Sequence, residues 1–249
     1  MNFLKDIQSL PERIHLEDDD TDCPDCDGYG YIVTDNDVGI CHCLAERNVN
    51  HRLERANIPK RYKNKTLDSF KPDIDSRRRS HGQVFRFAED FAHQQERSGL
   101  FLYGPSGTGK THLAIGALKE LLATGLTGLF YNIVTLVGDL RLQAGGAAPQ
   151  ETLERIERSS QVDILVLDDL GASRISDFVQ EQIYSIVDKR YSENRCLIVT
   201  SNLPLNELEK QITYPVFSRI KDMCLTVETG EIDFRVPDLQ LNIGKKRDR

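Results

Sequence analysis

A chain of 249 residues, 39% hydrophobic and 29% charged, has room for one large α/β domain and a small appendage. No apolar run approaches the ~20 residues that cross a bilayer, and Met1–Asp6 lacks the apolar stretch of a secretory leader. A cytoplasmic protein with no membrane attachment is expected. The net charge of −7 does not exclude nucleic acid, because residues 1–57 carry 5 Lys/Arg against 13 Asp/Glu while residues 58–249 carry 27 against 26.

Phe3, Leu4, Ile7 and Leu10 lie at helical spacing, which predicts a short helix within residues 1–16, limited by Pro11. The acidic run Glu17–Asp22 leads into Cys23-Pro24-Asp25-Cys26-Asp27-Gly28-Tyr29-Gly30, the C-x-x-C-x-G-x-G form of a zinc knuckle. Gly28 and Gly30 permit a tight turn that points backbone N–H groups at thiolate sulfurs. Fourteen residues separate Cys26 from Cys41-His42-Cys43, so Cys23, Cys26, Cys41 and Cys43 can close a tetrahedral Zn²⁺ site. The second pair is unusually tight, and His42 in place of one thiolate stays open. Tyr31-Ile32-Val33 and Val38-Gly39-Ile40 suit a small hairpin over the metal. A segment this short and acidic needs such a staple. The two remaining cysteines, Cys196 and Cys224, begin apolar runs and read as core thiols.

A helix from about Leu44 to Ala56, ended by Ile58-Pro59, closes the N-terminal module, with the domain boundary near residue 57. Lys60-Arg61-Tyr62-Lys63-Asn64-Lys65 is a basic connector into a core spanning residues 58–240, and residues 241–249 form a basic tail expected to be disordered. Within the core, Val84, Phe87, Ala88 and Phe91 mark one helical stripe. Strands are predicted at Leu100–Tyr103, Leu129–Ile133, Ile164–Leu167, Cys196–Thr200 and Leu225–Val227. Helices are predicted at Lys110–Ala123, Leu136–Gln143 and Glu151–Ser160, and around Val179, Ile183, Ile186 and Val187. Continuous aliphatic strands alternating with helices imply a parallel five-stranded sheet covered on both faces.

Gly104-Pro105-Ser106-Gly107-Thr108-Gly109-Lys110-Thr111 fits G-x-x-x-x-G-K-[ST] between a predicted strand and helix, the context that a phosphate loop requires. Its glycines let the backbone wrap with N–H groups inward, and the helix N-terminus adds a favourable dipole. Lys110 is suited to the β/γ-phosphates of ATP and the Thr111 hydroxyl to Mg²⁺. Ile164–Leu167 then ends in Asp168-Asp169, at the strand edge where open α/β sheets bind ligands. Asp168 fits a Mg²⁺ ligand and Asp169 a general base that polarises the attacking water.

Gly104–Thr111, Asp168-Asp169-Leu170-Gly171, Thr200-Ser201-Asn202-Leu203-Pro204-Leu205, Ser218-Arg219-Ile220 and Asp233-Phe234-Arg235 together resemble the AAA+ ATPases of the DnaC/DnaI helicase-loader and IstB transposition-helper family, over roughly residues 56–236. The resemblance implies ATP hydrolysis, with Asn202 as a sensor, Arg219 as an arginine finger acting in trans across ATP-bridged interfaces between copies, and Arg235 as a second sensor. It implies a replicative helicase hexamer, or alternatively a transposase, as partner. It also implies contact with single-stranded DNA through residues 134–160, whose basic side chains are Arg141, Arg155 and Arg158, and a helicase-docking role for the zinc module. The chain ends soon after Arg235, so the helical lid of many AAA+ proteins is expected to be missing.

Overall fold

The computed structural model describes residues 23–26, 29–34, 37–92, 99–172, 176–230 and 232–235. The expected helix within residues 1–16, the acidic run, Gly28 and the tail beyond residue 235 lie outside them. The chain divides into two compact units, Met1–Asn48 and Val49–Arg249.

In the first unit, β1 (Tyr31–Thr34) and β2 (Asp37–Ile40) form an antiparallel hairpin with Tyr31 opposite Ile40. It leads into α1 (His42–Arg55), in which the unit boundary falls.

In the second unit a short 3₁₀ turn, Lys60–Tyr62, leads to α2 (Asp75–Ala92). There follow β3 (Gly99–Tyr103), α3 (Lys110–Ala123), β4 (Gly128–Asn132), α4 (Ile133–Ala144), α5 (Gln150–Gln161), β5 (Ile164–Asp168), α6 (Asp177–Ser192), β6 (Cys196–Ser201), α7 (Leu205–Gln211), α8 (Tyr214–Met223) and β7 (Cys224–Glu228). The five strands β3 to β7 are parallel and ordered β4-β5-β6-β3-β7.

Period-two alternation explains why these strands read as unbroken aliphatic runs. Leu100, Leu102, Ile164, Val166 and Ile198 turn to one face, where they meet Leu113, Leu118 and Leu121 of α3 and Val84 of α2. Phe101, Leu165, Leu167, Leu197 and Val199 turn to the other, against Leu136 and Leu140 of α4, Val179 and Val187 of α6 and Ile220 of α8. Both faces are therefore core. The exposed edge of β4 is blunted by the segment after α1: Phe130 N–H donates to Ala56 O (2.7 Å) and the Asn57 amide to Phe130 O (3.2 Å).

Strand boundaries follow the sequence reading closely, with one shift. Ile133 ends the predicted strand but starts α4, because the Asn132 side chain accepts from Val134 N–H and caps the helix there. Helices α7 and α8 were not anticipated. The first is seven residues long, and both lack any strong start signal beyond Pro204 and the Pro at the head of α8.

Candidate functional site

The C-terminal ends of β3, β5 and β6 lie side by side and deliver three loops to one edge of the sheet. From β3 comes the glycine-rich loop, which enters α3 at Lys110. Two of its glycines are sterically required. A Cβ on Gly109 (φ +101°) would sit 2.6 Å from the Phe70 ring, and one on Gly107 (φ +79°) would overlap the Asp233 carboxylate. The loop is braced from the far side as well, where the hydroxyls of Thr108 and Thr229 share a hydrogen bond of 2.7 Å.

Lys110 Nζ lies over this loop, donating to Gly104 O (2.7 Å) and Pro105 O (2.6 Å). Burial pushes its pKa down from 10.5 to about 8; the Asp169 carboxylate opposes that shift and the Arg235 guanidinium adds to it. A buried, partly destabilised ammonium framed by inward-turned backbone suits a polyanion.

Asp168 ends β5 and is buried. Its Oδ1 accepts from Thr111 Oγ1 (2.9 Å) and Thr200 Oγ1 (2.8 Å), and its Oδ2 from Asn132 Nδ2 (3.4 Å). Burial raises its pKa, with the neighbouring Asp169 charge adding to the rise and the three donors opposing it. A carboxylate so placed next to the Thr111 hydroxyl is a fitting cation ligand. Asp169 takes a left-handed backbone (φ 63°), its N–H anchored on Thr200 Oγ1 (2.9 Å). Its Oδ1 then accepts from Asn202 Nδ2 at 2.6 Å. The strained turn swings the carboxylate away from Asp168 and onto the residue that follows β6.

The structure therefore gathers Lys110, Thr111, Asp168, Asp169 and Asn202 into one cluster. Arg235 joins it from the C-terminal side: its Nη1 donates to Ser106 Oγ (3.1 Å), while Phe234 N–H donates to Gly107 O (3.1 Å). Arg219 does not join it. On α8 it pairs with Asp188 (2.6 Å), donates to Tyr184 OH (3.2 Å) and lies over the Tyr184 ring at 5.0 Å.

Sequence reasoning missed Thr200, Asn132 and Arg77. Thr200 sits within the quoted Thr-Ser-Asn-Leu-Pro segment, and the hydroxyl pair Thr200-Ser201 closing an aliphatic strand was the available signal. Arg77 carried none: its guanidinium is sandwiched between the Phe70 ring (4.3 Å) and the Phe234 ring (4.1 Å), 164 residues apart in sequence. It borders a cavity of about 420 Å³ shared with Lys65, Ser69, Lys71 and His112, beside the phosphate loop.

Two of the three arginines expected to face DNA are engaged by other groups of the chain. Arg155 Nη2 pairs with Asp139 (2.7 Å), whose Oδ2 also accepts from Tyr131 OH (2.5 Å). Arg158 donates to Arg55 O (2.8 Å), leaving Arg141 as the exposed arginine of α4 and α5.

In the first unit, Cys23 Sγ and Cys41 Sγ are 3.7 Å apart, and Cys26 Sγ and Cys43 Sγ 3.5 Å. Zn–S bonds of about 2.3 Å place tetrahedral sulfurs about 3.8 Å apart, close to these two pairs, and all four sulfurs lie within 4.8 Å of one another, a set able to hold that ion. Gly30 N–H donates to Cys26 Sγ (3.1 Å). Burial acts against Cys26 ionisation, but that N–H and the neighbouring thiols outweigh it and lower the pKa to about 7. His42 Nδ1 lies 3.3 Å from Asp25 and 3.7 Å from Cys41 Sγ, so the imidazole stands beside the four gathered sulfurs. Around them Tyr29, Tyr31 and Ile40 are 68%, 52% and 63% exposed.

Comparison with known proteins agrees with this geometry. Residues 42–236 match the sequence family described as IstB-like ATP binding protein. The phage-like element PBSX protein XkdC of Bacillus subtilis (strain 168) is 27% identical over 218 residues, covering 82% of this chain and 79% of that one. The replicative helicase loader DnaC of Buchnera aphidicola subsp. Acyrthosiphon pisum (strain APS) is 28% identical over 170 residues, 68% of each chain. A crystal structure of the DnaC helicase loader superimposes with a TM-score of 0.61 at 30% identity, covering 68% of this chain and 99% of that chain.

Proposed function

We propose, from the premise that this chain belongs to the IstB-like ATP-binding protein family, that it is an ATPase that loads a hexameric replicative helicase onto single-stranded DNA. The observation that carries the hydrolytic part is the Asn202–Asp169 hydrogen bond of 2.6 Å beside the phosphate loop. A protein that only sensed ATP would have no use for a second carboxylate held apart from the first.

In this reading Lys110 leaves its loop carbonyls to neutralise the β/γ-phosphates of ATP, while Thr111 and Asp168 hold Mg²⁺, which supplies charge neutralisation there. Asp169 accepts the proton of the attacking water, with its carboxylate aimed by Asn202. Arg235, already beside Ser106, follows the phosphates from the C-terminal side. Arg219 faces a different part of the surface and serves the site of a neighbouring copy, which makes turnover depend on self-association.

Cys23, Cys26, Cys41 and Cys43 hold one Zn²⁺, which supplies folding energy to the first unit. The exposed apolar face around Tyr31 and Ile40 is the reason to give that unit a docking role. An IstB-like helper of a transposase is the second reading, favoured by the family match itself.

The deciding experiment mixes the protein with a replicative helicase hexamer, ATP and single-stranded DNA, and scores helicase capture and strand entry. The loader reading expects both, with capture lost in Cys23→Ser and strand entry lost in Asp169→Asn. ATP-dependent assembly on duplex DNA without helicase capture would establish the transposase reading instead.

A further inference from the structure

The charge of the second unit is concentrated in a way that the nucleotide site does not explain. Residues 58–86 carry nine Lys/Arg and three Asp/Glu, whereas residues 87–249 carry 18 Lys/Arg and 23 Asp/Glu. A net of +6 within 29 residues is followed by a net of −5 over residues 87–249.

The first part of this stretch is held rigidly along α3. Tyr62 N–H donates to Pro59 O (2.8 Å) and Lys65 N–H to Tyr62 O (3.0 Å), which makes a compact turn. Lys119 Nζ clamps it at one end by donating to Tyr62 O (3.2 Å) and to Lys63 O. At the other end His112 Nε2 meets Thr66 O (2.8 Å) and Ser69 Oγ (3.1 Å). His112 and Lys119 are two turns apart on α3, so the clamped track is about 10 Å long.

Lys60, Arg61, Lys63 and Lys65 project from this track, all exposed. Among the described residues none of their side chains makes a hydrogen bond or an ion pair, whereas the other Arg-rich candidate surface has consumed Arg155 and Arg158 internally. A fixed main chain carrying unpaired cations loses only side-chain freedom when it meets a polyanion, and duplex DNA carries on each strand one phosphate per ~3.4 Å of helix axis.

We propose that the Lys60–Lys65 connector is a nucleic-acid contact surface that grips consecutive phosphates of a DNA backbone, independently of base sequence. The proposal rests on the loader reading in that it names where DNA meets the core. It assigns the dominant phosphate contact to the connector and not to α4 and α5. The track ends beside the cavity that Lys65 shares with His112, the residue after Thr111, so the DNA contact and the nucleotide loop adjoin.

The test measures binding of labelled single-stranded and duplex oligonucleotides by the full chain across a salt series, with ATP binding and circular dichroism recorded on the same samples. The triple variant Lys60→Ala/Arg61→Ala/Lys63→Ala should reduce the slope of log affinity against log salt by ~2 on single strands, at ~0.7 per lost contact. ATP affinity and the spectrum should stay unchanged. Lys60→Arg/Arg61→Lys/Lys63→Arg should bind as the parent does, and Arg141→Ala should leave the slope within error. Tighter binding to the single strand or to the duplex identifies which DNA form the track serves.

An unchanged slope in the triple variant overturns the proposal, as does a parent protein that binds polyglutamate but neither oligonucleotide. Helicase capture separates the two readings. A slope lost at the connector without any helicase capture would sink the loader reading and leave this contact standing. Capture with an unchanged slope would do the reverse.

Discussion

The two units of this chain solve the same problem by opposite means. In residues 49–249 every strand of the sheet sends alternate side chains into one of two apolar clusters, and Phe101, Leu102, Leu165, Val166, Leu197 and Ile198 are fully enclosed. In residues 1–48 the buried hydrophobic positions among the described residues are Cys23, Cys26 and Cys41, while Tyr29, Tyr31 and Ile40 face solvent. Each enclosed aliphatic side chain contributes roughly 1.5–3 kcal/mol, and the larger unit holds dozens. Among its described residues the smaller unit encloses no aliphatic side chain, whereas a structural Zn²⁺, where one is bound, supplies about 10–16 kcal/mol to a zinc-finger peptide. Among the described residues the larger unit encloses aliphatic side chains, whereas the smaller one gathers four sulfurs able to hold a metal ion.

Variants in the nucleotide cluster should leave that division untouched. Asp169→Asn is expected to retain ATP binding but to lower turnover about 10²-fold or more, the scale of losing a general base. Zinc content should not change. Turnover at the parental rate would place the base elsewhere.

Asp139→Ala strikes the stability of the larger unit alone. It strands Arg155 and the Tyr131 hydroxyl, which the carboxylate now ties together beneath α4 and α5. The pair is partly solvent-exposed, so the loss should be about 2 kcal/mol, below the cost for a fully buried pair. That is a fall of about 4–8 °C in Tm for a unit of this size. Calorimetry showing no fall would mean that the triad is idle.

The pH dependence of ATP affinity carries a smaller signal. With Lys110 held at about 8 against its ordinary 10.5, the folded chain sheds this proton before the unfolded chain does. Its burial therefore weighs against stability below pH 8, and that penalty lifts as pH rises from 8 toward 10.5. ATP selects the charged form, so affinity should decline above pH 8, by at most about tenfold per unit. Titration calorimetry on Lys110→Arg should show no such decline, since Arg stays charged. A parental affinity that is flat to pH 10 would contradict the assigned environment.

Arg219 tests whether the larger unit works alone. Mixing Arg219→Ala with Lys110→Ala protein should restore part of the lost turnover, because some interfaces then pair an intact phosphate site with an intact finger. Absence of any restoration where the parent self-associates would assign Arg219 to its ion pair with Asp188.

What could be read from the sequence followed the same division. The β3–loop–α3 junction was legible because a strand, three glycines and a Lys-Thr pair are consecutive in the chain. The β1–β2 hairpin and its four cysteines were legible because sulfur spacing is a local property. Contacts made by tertiary packing were not. Nothing near Arg155 reveals that Asp139, sixteen residues earlier, claims it. A lone Asp inside the apolar helix α4 was the one hint available. Likewise Arg77 between Phe70 and Phe234 depends on where the chain returns after β7, which no window of sequence contains.

The measurement that bears most directly on the account is hydrogen exchange on the full chain before and after zinc chelation, with ATP titrated into the same samples. Protection at the Gly30, Cys41, Leu44 and Ala45 amides, which bond to Cys26 Sγ, Gly30 O and Cys41 O, should vanish on chelation. Protection across β3 to β7 and ATP affinity should both persist. Retained protection around the four cysteines, or a loss that spreads into the sheet and abolishes ATP binding, would contradict the claim that the two units draw their stability from separate sources.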